Sequence, residues 1–301
     1  MRRATSGDAP NGAWGRIAGR YDGAMNPEDV DRLAALLLRT NEDPGSRDLH
    51  TWGTPHDALA AEIRGLERPV IVLEDGGRGV MILDVAIEKA RAWAWGPAVE
   101  GDDRPVRADA LLDEALRRLP PGIERVSAYP ASGSWIEAWW RGRGARAGDV
   151  VHVYRAGRQD VGRSSPEVRD AAPADLPALT PLHDAAFPKT YLSAAEMLDA
   201  GRGRRVLVTP AAGPPAGYAC AEARLDETGY VHYLAVDPAR RRQGLGRRLL
   251  LAALHWLHVE RGLRETVLTV ADRNDARDLY AQAGFTRIAT GQPIDLPIGP
   301  R

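Results

Sequence analysis

Arginines and glycines crowd into one short stretch of this 301-residue chain, at the start of a predicted helix. The stretch reads VDPARRRQGLGRRLL and runs from Val236 to Leu250. Glycine lets a backbone approach a ligand closely, and the first amides of a helix have no partner within the helix. With the helix dipole, these amides favour an anion such as a phosphate or pyrophosphate. A solvated basic turn without a ligand is the alternative.

Three phosphate-binding patterns can be compared with this stretch. A Walker loop would end in Gly-Lys-Ser/Thr, which is absent here. The dinucleotide fingerprint would place a third glycine where Leu249 stands. The pattern Arg/Gln-x-x-Gly-x-Gly is met from Arg241 to Gly246, preceded by LAVDP and followed, beginning at Tyr280, by Tyr-x-x-x-Gly-Phe. The stretch therefore predicts an anion-binding loop of this third kind.

With the segments YVHYLAVDPARRRQGLGRRLL and LYAQAGF, the chain from Val168 to Leu296 resembles the GNAT superfamily of acyl-CoA-dependent N-acyltransferases. The resemblance implies acetyl-CoA as acyl donor, with its pyrophosphate on the loop amides and its pantetheine arm along a bulged, splayed strand. It also implies direct transfer to a primary amine in a ternary complex. The residues that it assigns to the donor site are Leu234, Ala235, Val236, Arg241, Arg242, Gln243, Gly244, Leu245, Gly246 and Arg247.

One position departs from the family pattern. The family often has an asparagine seven residues before the tyrosine, and this chain has Arg273 there, with Asn274 one position later. Asn274 is therefore a candidate contact to the pantetheine arm, and a helix cap is the alternative.

The proton transfers of such a reaction need a base and an acid. Amines titrate near 10, so a base must remove the proton of the acceptor at neutral pH. Period two places Tyr230 and His232 on one face of GYVHYLAV, and this strand resembles that of serotonin-type acetyltransferases, in which residues at these positions relay the proton. A packed strand histidine is the alternative, and Glu222 and Glu227 are further candidate bases. The resemblance makes Tyr280 the acid, against ordinary aromatic packing.

The elements that must position these residues are readable from hydrophobic periodicity and turn formers. After a polar seam at Gly157 to Val168, the order β-α-α-β-β-β-α-β-α-β predicts an antiparallel meander followed by strand–helix crossovers. The first half repeats a similar order, with DVVHVYRAG as its last strand. We expect an α/β (α+β) protein of two tandem GNAT folds, each a mixed, mostly antiparallel sheet flanked by helices. The predicted domains are residues 1–160 and 161–301.

The first half lacks the chemistry of the second. Where the arginines and glycines should stand it has Glu100, Asp102 and Asp103, and Trp140 replaces the tyrosine. We expect a degenerate copy that does not bind CoA, with the catalytic site in the second half. Tandem chains of this kind resemble the mycothiol synthases, which acetylate a cysteinyl-sugar amine. Such an acceptor is one alternative function, and a non-catalytic acyl-CoA-binding regulator is another.

Composition limits the partners. A net charge of −1 argues against general nucleic-acid or membrane-surface binding, because both partners favour a basic surplus. The single Cys220, and a first stretch without the apolar core of a signal peptide, predict a cytoplasmic protein. His255 and His258 lack further ligands nearby, so no metal is expected. The expected acceptor is a small-molecule or peptide amine, and the expected state a monomer or homodimer.

Overall fold

The structure is a computed structural model that describes residues 17–18 and 26–299, except 75, 159–164, 189, 200–202, 225–226 and 275. The chain divides into two compact units. Unit 1 consists of Met1–Arg146 with Ile294–Arg301, and unit 2 of Ala147–Pro293. Among the described residues, no helix is long and apolar enough to cross a membrane.

In its described residues, unit 1 contains a seven-stranded sheet and four α-helices. The strands are β1 (Ile17–Ala18), β2 (Pro69–Glu74), β3 (Gly79–Ala86), β4 (Arg91–Val99), β5 (Arg125–Ala128), β6 (Arg146–Ala147) and, from the end of the chain, β14 (Ile294–Pro297). The helices are α1 (Pro27–Glu42), α2 (His56–Arg64), α3 (Arg104–Arg118) and α4 (Trp135–Gly142). The strand order is β1-β2-β3-β4-β5-β14-β6, and β4 and β5 are parallel.

The residues of unit 1 explain its layers. The Asn26 side chain accepts a hydrogen bond from the amide of Glu28 and caps α1, while Leu33 and Leu37 lie one turn apart on its buried face. Helices α1 and α2 cover one face of the sheet, and α3 and α4 cover the other. Both faces of β3 are therefore buried, which matches its almost uninterrupted apolar sequence.

Unit 2 has the same kind of architecture. Its strands are β7 (Val151–Gly157), β8 (Arg169–Asp170), β9 (Arg204–Thr209), β10 (Gly217–Ala223), β11 (Thr228–Val236), β12 (Glu265–Ala271) and β13 (Thr286–Gly291). Its helices are α5 (Leu176–Ala186), α6 (Ala194–Leu198), α7 (Leu245–His255) and α8 (Arg277–Gln282). The strand order is β13-β7-β12-β11-β10-β9-β8.

The pairing in unit 2 confirms the predicted order of elements. Strands β8 to β11 form an antiparallel meander, and β11 pairs in parallel with β12 after the crossover through α7. Helix α7 packs on one face of the sheet, and α5 and α6 pack on the other. Along β11, Val231 lies in the core that packs against α7, whereas Tyr233 lies in the core that packs against α5 and α6. The rings of Tyr230 and His232 pack against each other.

The division into units differs from the predicted bounds in two places. Strand β7, predicted to end the first half, lies between β12 and β13 in the sheet of unit 2. Strand β14, predicted to end the second half, pairs with β5 in unit 1. Alternating apolar residues indicate that a segment is a strand but not which sheet it joins. The predicted boundary itself, at residues 160 and 161, lies outside the described residues.

Candidate active site

The basic loop has the backbone of an anion-binding site. Strand β11 is followed by a short 3₁₀ turn at Pro238–Arg240, and Gly244 precedes α7 with φ of 76°. An L side chain rarely adopts such a φ, so glycine suits this position. Its left-handed turn starts an 11-residue helix whose first amides have no acceptor within the helix. Leu245 is buried against the core, whereas Gln243 and Arg247 are exposed beside those amides.

The arginines of the loop are largely uncompensated. Arg248 forms an ion pair with Glu167, and the Arg241 Nε donates weakly to the carbonyl oxygen of Val236 over 3.4 Å. Arg242 and Arg247 are exposed and, within the described part of the chain, pair with no carboxylate. The loop therefore keeps positive charge available for an anionic ligand.

An open wedge between two strands leads to this loop. Strands β11 and β12 pair only from Thr228–Glu265 to Val231–Leu268. Beyond that point, β11 continues along β10 to Val236 while β12 continues along β7. On the side that faces β12, the backbone of Leu234, Ala235 and Val236 therefore has no strand partner among the described residues. This is the edge predicted to pair with the pantetheine arm.

A β-bulge places His232 at the start of this wedge. Cys220 of β10 pairs with Tyr233, and its neighbour Ala221 pairs with Val231, so His232 is the extra residue in the ladder. The His232 side chain is only 7% exposed. Its Nε2 lies 2.7 Å from a carboxylate oxygen of Glu222, and its Nδ1 contacts the hydroxyl of Tyr191.

The electrostatics of this pair favour a neutral imidazole beside an ionised carboxylate. Burial lowers the pKa of His232, and Glu222 offsets only part of that effect. Burial opposes ionisation of Glu222, but the hydrogen bond and charge interaction with His232, together with the charges of Arg224 and Arg204, outweigh it and hold the pKa of this carboxyl below its ordinary value. A neutral histidine is the form that accepts a proton.

The other sequence-predicted bases occupy different positions. The Tyr230 ring packs edge-on against His232 at 4.8 Å between centroids, but its hydroxyl lies 3.1 Å from the Thr269 hydroxyl. The guanidinium of Arg224 lies 4.0 Å above the Tyr230 ring. Glu227 is exposed at the turn between β10 and β11 and has a left-handed φ of 59°. The structure thus brings Glu222, Tyr230 and His232 together and leaves Glu227 at the hairpin tip.

Tyr280 lies on α8 in a largely apolar setting. The residue is 6% exposed, and its ring lies against those of Phe285 and Tyr154. Burial raises the pKa of Tyr280 to about 12, so the phenol keeps its proton at neutral pH. Within the described residues its hydroxyl has no hydrogen-bond partner, which leaves the donor available to an incoming group.

Asn274 takes part in a local turn. Its side-chain oxygen accepts a hydrogen bond of 2.9 Å from the amide of Ala276, just before α8 begins at Arg277. The preceding Arg273 forms an ion pair with Asp149. Asn274 therefore acts as a turn cap in the structure, and its contact with a pantetheine arm stays a prediction.

The corresponding region of unit 1 is built differently. Asp103 precedes α3 with φ of 59°, as Gly244 precedes α7, so a carboxylate stands at the equivalent helix start. Glu100 pairs with Arg39. Gly96 corresponds to Leu234 of unit 2, because each lies three residues beyond the last pair between its two parallel strands. The amide of Gly96 donates a hydrogen bond of 2.8 Å to the carboxylate of buried Asp48.

Tyr191 is the site residue that sequence reasoning missed. It lies between α5 and α6, in a segment without hydrophobic periodicity and 41 positions from His232. The sequence marks Tyr191 only as an aromatic, hydroxyl-bearing residue in a glycine-free connection. That feature does not indicate which residue its hydroxyl contacts. Among the described residues, no group of three or more His, Cys, Asp or Glu side chains could hold a metal.

Comparison with known proteins places this site in a class. Residues 175–285 match the acetyltransferase (GNAT) family, so this part of the chain is a GNAT acetyltransferase family domain. It includes strands β9 to β11 of the meander, the basic loop and Tyr280.

Two solved structures share the fold over nearly the whole chain. A GCN5-related N-acetyltransferase from Sphaerobacter thermophilus superimposes with a TM-score of 0.67 at 18% identity, covering 92% of this chain and 95% of that one. A tandem GNAT protein from the clavulanic acid biosynthesis pathway gives 0.64 at 19% identity, covering 92% and 97%. The expected fold, two tandem GNAT units, is thereby confirmed.

A shorter stretch has relatives at higher sequence identity. A mycothiol acetyltransferase of Amycolatopsis mediterranei (strain U-32) is 44% identical over 66 residues. That stretch spans 22% of this chain and 22% of the relative.

Proposed function

We propose that the protein is an acetyl-CoA-dependent N-acetyltransferase with its active site in unit 2. The single observation that carries the proposal is the wedge between β11 and β12, which opens beside His232 and leads to the uncompensated loop at Gly244. The GNAT family match over this unit supports the same reaction.

The residues of unit 2 suit the donor. The loop amides from Gly244 to Arg247 and the exposed arginines favour a pyrophosphate, and the free edge of β11 offers backbone groups to a pantetheine amide. Acetyl-CoA supplies an activated acetyl thioester. In unit 1, Asp48 occupies the Gly96 amide and Asp103 places a carboxylate at the start of α3, and both oppose such a ligand. This supports a single acetyl-CoA site per chain.

The proton chemistry uses His232 at the start of the wedge and Tyr280 on α8. The amine nitrogen of the acceptor forms a bond to the acetyl carbon while the bond from that carbon to sulfur breaks. We assign the amine proton to the neutral imidazole of His232, whose charged form the Glu222 carboxylate stabilises. Tyr280 donates its proton, or a hydrogen bond, to the departing sulfur. Direct transfer between two bound substrates needs no acyl-enzyme, and buried Cys220, whose pKa burial raises to about 12, is a poor nucleophile.

A second candidate concerns the acceptor. The 66-residue similarity to a mycothiol acetyltransferase favours a cysteinyl-sugar amine as one member of the acceptor class. Other primary amines, on small molecules or peptides, complete that class. A non-catalytic acyl-CoA-binding regulator would keep the loop but would not need His232 and Tyr280.

The test measures acetylation of an amine panel by mass spectrometry, for the wild type and Tyr280→Phe. The panel contains spermidine, tyramine, glucosamine and a cysteinyl glucosamine. A hydrogen bond to a charged sulfur contributes about 1.5–3 kcal/mol, so Tyr280→Phe should lower kcat roughly 10- to 100-fold without weakening acetyl-CoA binding. Tyr154→Phe, which removes a neighbouring hydroxyl, is the matched control and should keep kcat within about twofold. Binding of acetyl-CoA without acetylation of any amine would favour the regulator.

A further inference from the structure

The segment between α5 and α6 is held against β11 by several hydrogen bonds. The Thr190 hydroxyl lies 2.7 Å from that of Tyr233, which also accepts a longer bond from the amide of Leu192. Buried His183 reaches the carbonyl oxygen of Leu192 with Nε2 over 2.8 Å and the hydroxyl of Tyr218 with Nδ1. Because His183 donates from Nε2 to that carbonyl, a neutral ring accepts at Nδ1 from Tyr218. The segment is therefore a built part of the site.

This segment closes the approach to His232. With Glu222 on Nε2 and the Tyr191 hydroxyl on Nδ1, both ring nitrogens have a partner. The His232 side chain is 7% exposed, whereas Tyr191 is 37% exposed. An acceptor amine therefore meets Tyr191 before it can meet the imidazole.

The donors and acceptors of this chain have one consistent arrangement. An ionised Glu222 only accepts, so His232 donates its Nε2 proton to that carboxylate. The Nδ1 of a neutral ring is then bare and accepts the Tyr191 hydroxyl proton. A phenol that donates to Nδ1 keeps its proton, so Tyr191 does not act as a phenolate base.

We propose that the Tyr191 hydroxyl relays the proton of the acceptor amine to His232 Nδ1, a role that rests on the function proposed above. As the amine nitrogen bonds to the acetyl carbon, its proton passes to the Tyr191 oxygen, and the original hydroxyl proton passes to Nδ1. Tyr191 ends the step as it began, as a neutral phenol. His232 becomes an imidazolium whose charge Glu222 balances at 2.7 Å.

The competing route would run through Glu222. Its side chain is 24% exposed, so a carboxylate oxygen could receive the amine proton directly. That route moves one proton in the rate-determining step and does not involve Tyr191. The relay moves two protons together, which gives an observable difference.

The first experiment compares Tyr191→Phe with Thr190→Val. Phenylalanine keeps the ring packing against Tyr233 and His232, at 5.6 and 5.9 Å between centroids, and removes only the relaying hydroxyl. Loss of one proton-transfer group should lower kcat about 100-fold and leave acetyl-CoA affinity unchanged. Thr190→Val removes a hydroxyl that anchors the same segment without touching His232, and should lower kcat no more than about threefold.

A proton inventory separates relay from positioning. The relay predicts a curved dependence of kcat on the deuterium fraction of the solvent in the wild type and in Thr190→Val, and a linear one in Tyr191→Phe. A linear dependence in the wild type, or full activity in Tyr191→Phe, would overturn the relay and favour Glu222. If the wild type acetylates no amine in the panel, the proposed function itself fails.

A second measurement needs no acceptor. Nitrogen NMR of the histidine rings, with the His232→Gln variant for assignment, reports tautomer and hydrogen bonding in the free protein. We expect His232 at neutral pH as the Nε2–H tautomer, with an Nδ1 resonance that shifts in Tyr191→Phe but not in Thr190→Val. The Nδ1–H tautomer, or an Nδ1 resonance indifferent to Tyr191→Phe, would overturn the relay even if acetyl transfer is intact.

Discussion

Replacing Gly244 with aspartate reproduces in unit 2 the helix start of unit 1. Gly244 is exposed, and a Cβ built on it meets no atom within 4 Å, so an added side chain has room. Its φ of 76° is one that aspartate and asparagine tolerate better than most residues, and Asp103 adopts 59° at the equivalent position. Gly244→Asn is therefore a matched control, because it has nearly the same shape and backbone strain but no charge.

The magnitude follows from the exposure of the loop. A carboxylate about 6 Å from a pyrophosphate of roughly two charges costs about 1.4 kcal/mol at the dielectric constant of water, and more where the loop excludes solvent. Taking about 1.5–3 kcal/mol, Gly244→Asp should bind acetyl-CoA roughly 10- to 100-fold more weakly than Gly244→Asn. The asparagine variant should lose only the few-fold that its left-handed backbone costs.

Calorimetric titration of acetyl-CoA into both variants at low and high salt checks this result. Because the Debye length falls from about 10 Å at 0.1 M to about 3 Å at 1 M, the ratio between the two affinities should shrink with added salt. Equal affinities for both variants at low salt would refute the reasoning, since the carboxylate would then not face the pyrophosphate. A ratio that does not change with salt would show that the loss is steric rather than electrostatic.

Two further predictions concern stability. Gly229→Ala should lower the free energy of unfolding of unit 2 by about 1–3 kcal/mol in urea, because the added Cβ would lie within 2.8 Å of two side-chain atoms. Gly157→Ala in the same sheet is the control and should leave that free energy unchanged, because a Cβ there meets open space. Equal stabilities of the two variants would contradict the packing around Gly229. Burial raises the pKa of Asp48 from 3.8 to about 7, so the folded protein holds this proton more tightly than the unfolded chain does. The free energy of unfolding should therefore be highest below pH 4 and should fall by about 4 kcal/mol as the pH rises through 7. Asp48→Asn should remove this slope from urea unfolding measured between pH 4 and 8, and a slope that persists would assign it to other groups.

Much of the fold was predictable from local pattern. The meander and the crossover through α7 follow from alternating residues in GYVHYLAV and from the helical run that begins after Gly244. The destinations of β7 and β14 were not predictable. Each is a half-buried strand by pattern, and the choice between two similar sheets depends on edges formed by residues far apart in sequence.

The site was predictable where it is local. The basic loop and the position of Tyr280 on α8 follow from short motifs with fixed spacing. The contact between Tyr191 and His232 was not, because it depends on a bulge in β11 and on the path of a connection without periodicity. The Asp48–Gly96 hydrogen bond in unit 1 joins residues 48 positions apart and was equally hidden.

The stoichiometry of acetyl-CoA binding tests the central claim most directly. Calorimetry on the intact chain should give one acetyl-CoA per chain, because Asp48 and Asp103 oppose the ligand in unit 1 while the loop at Gly244 favours it in unit 2. In Gly244→Asp that single site should weaken, and no second site should remain. Two molecules bound per chain, one of them unaffected by Gly244→Asp, or none bound at all, would contradict the account.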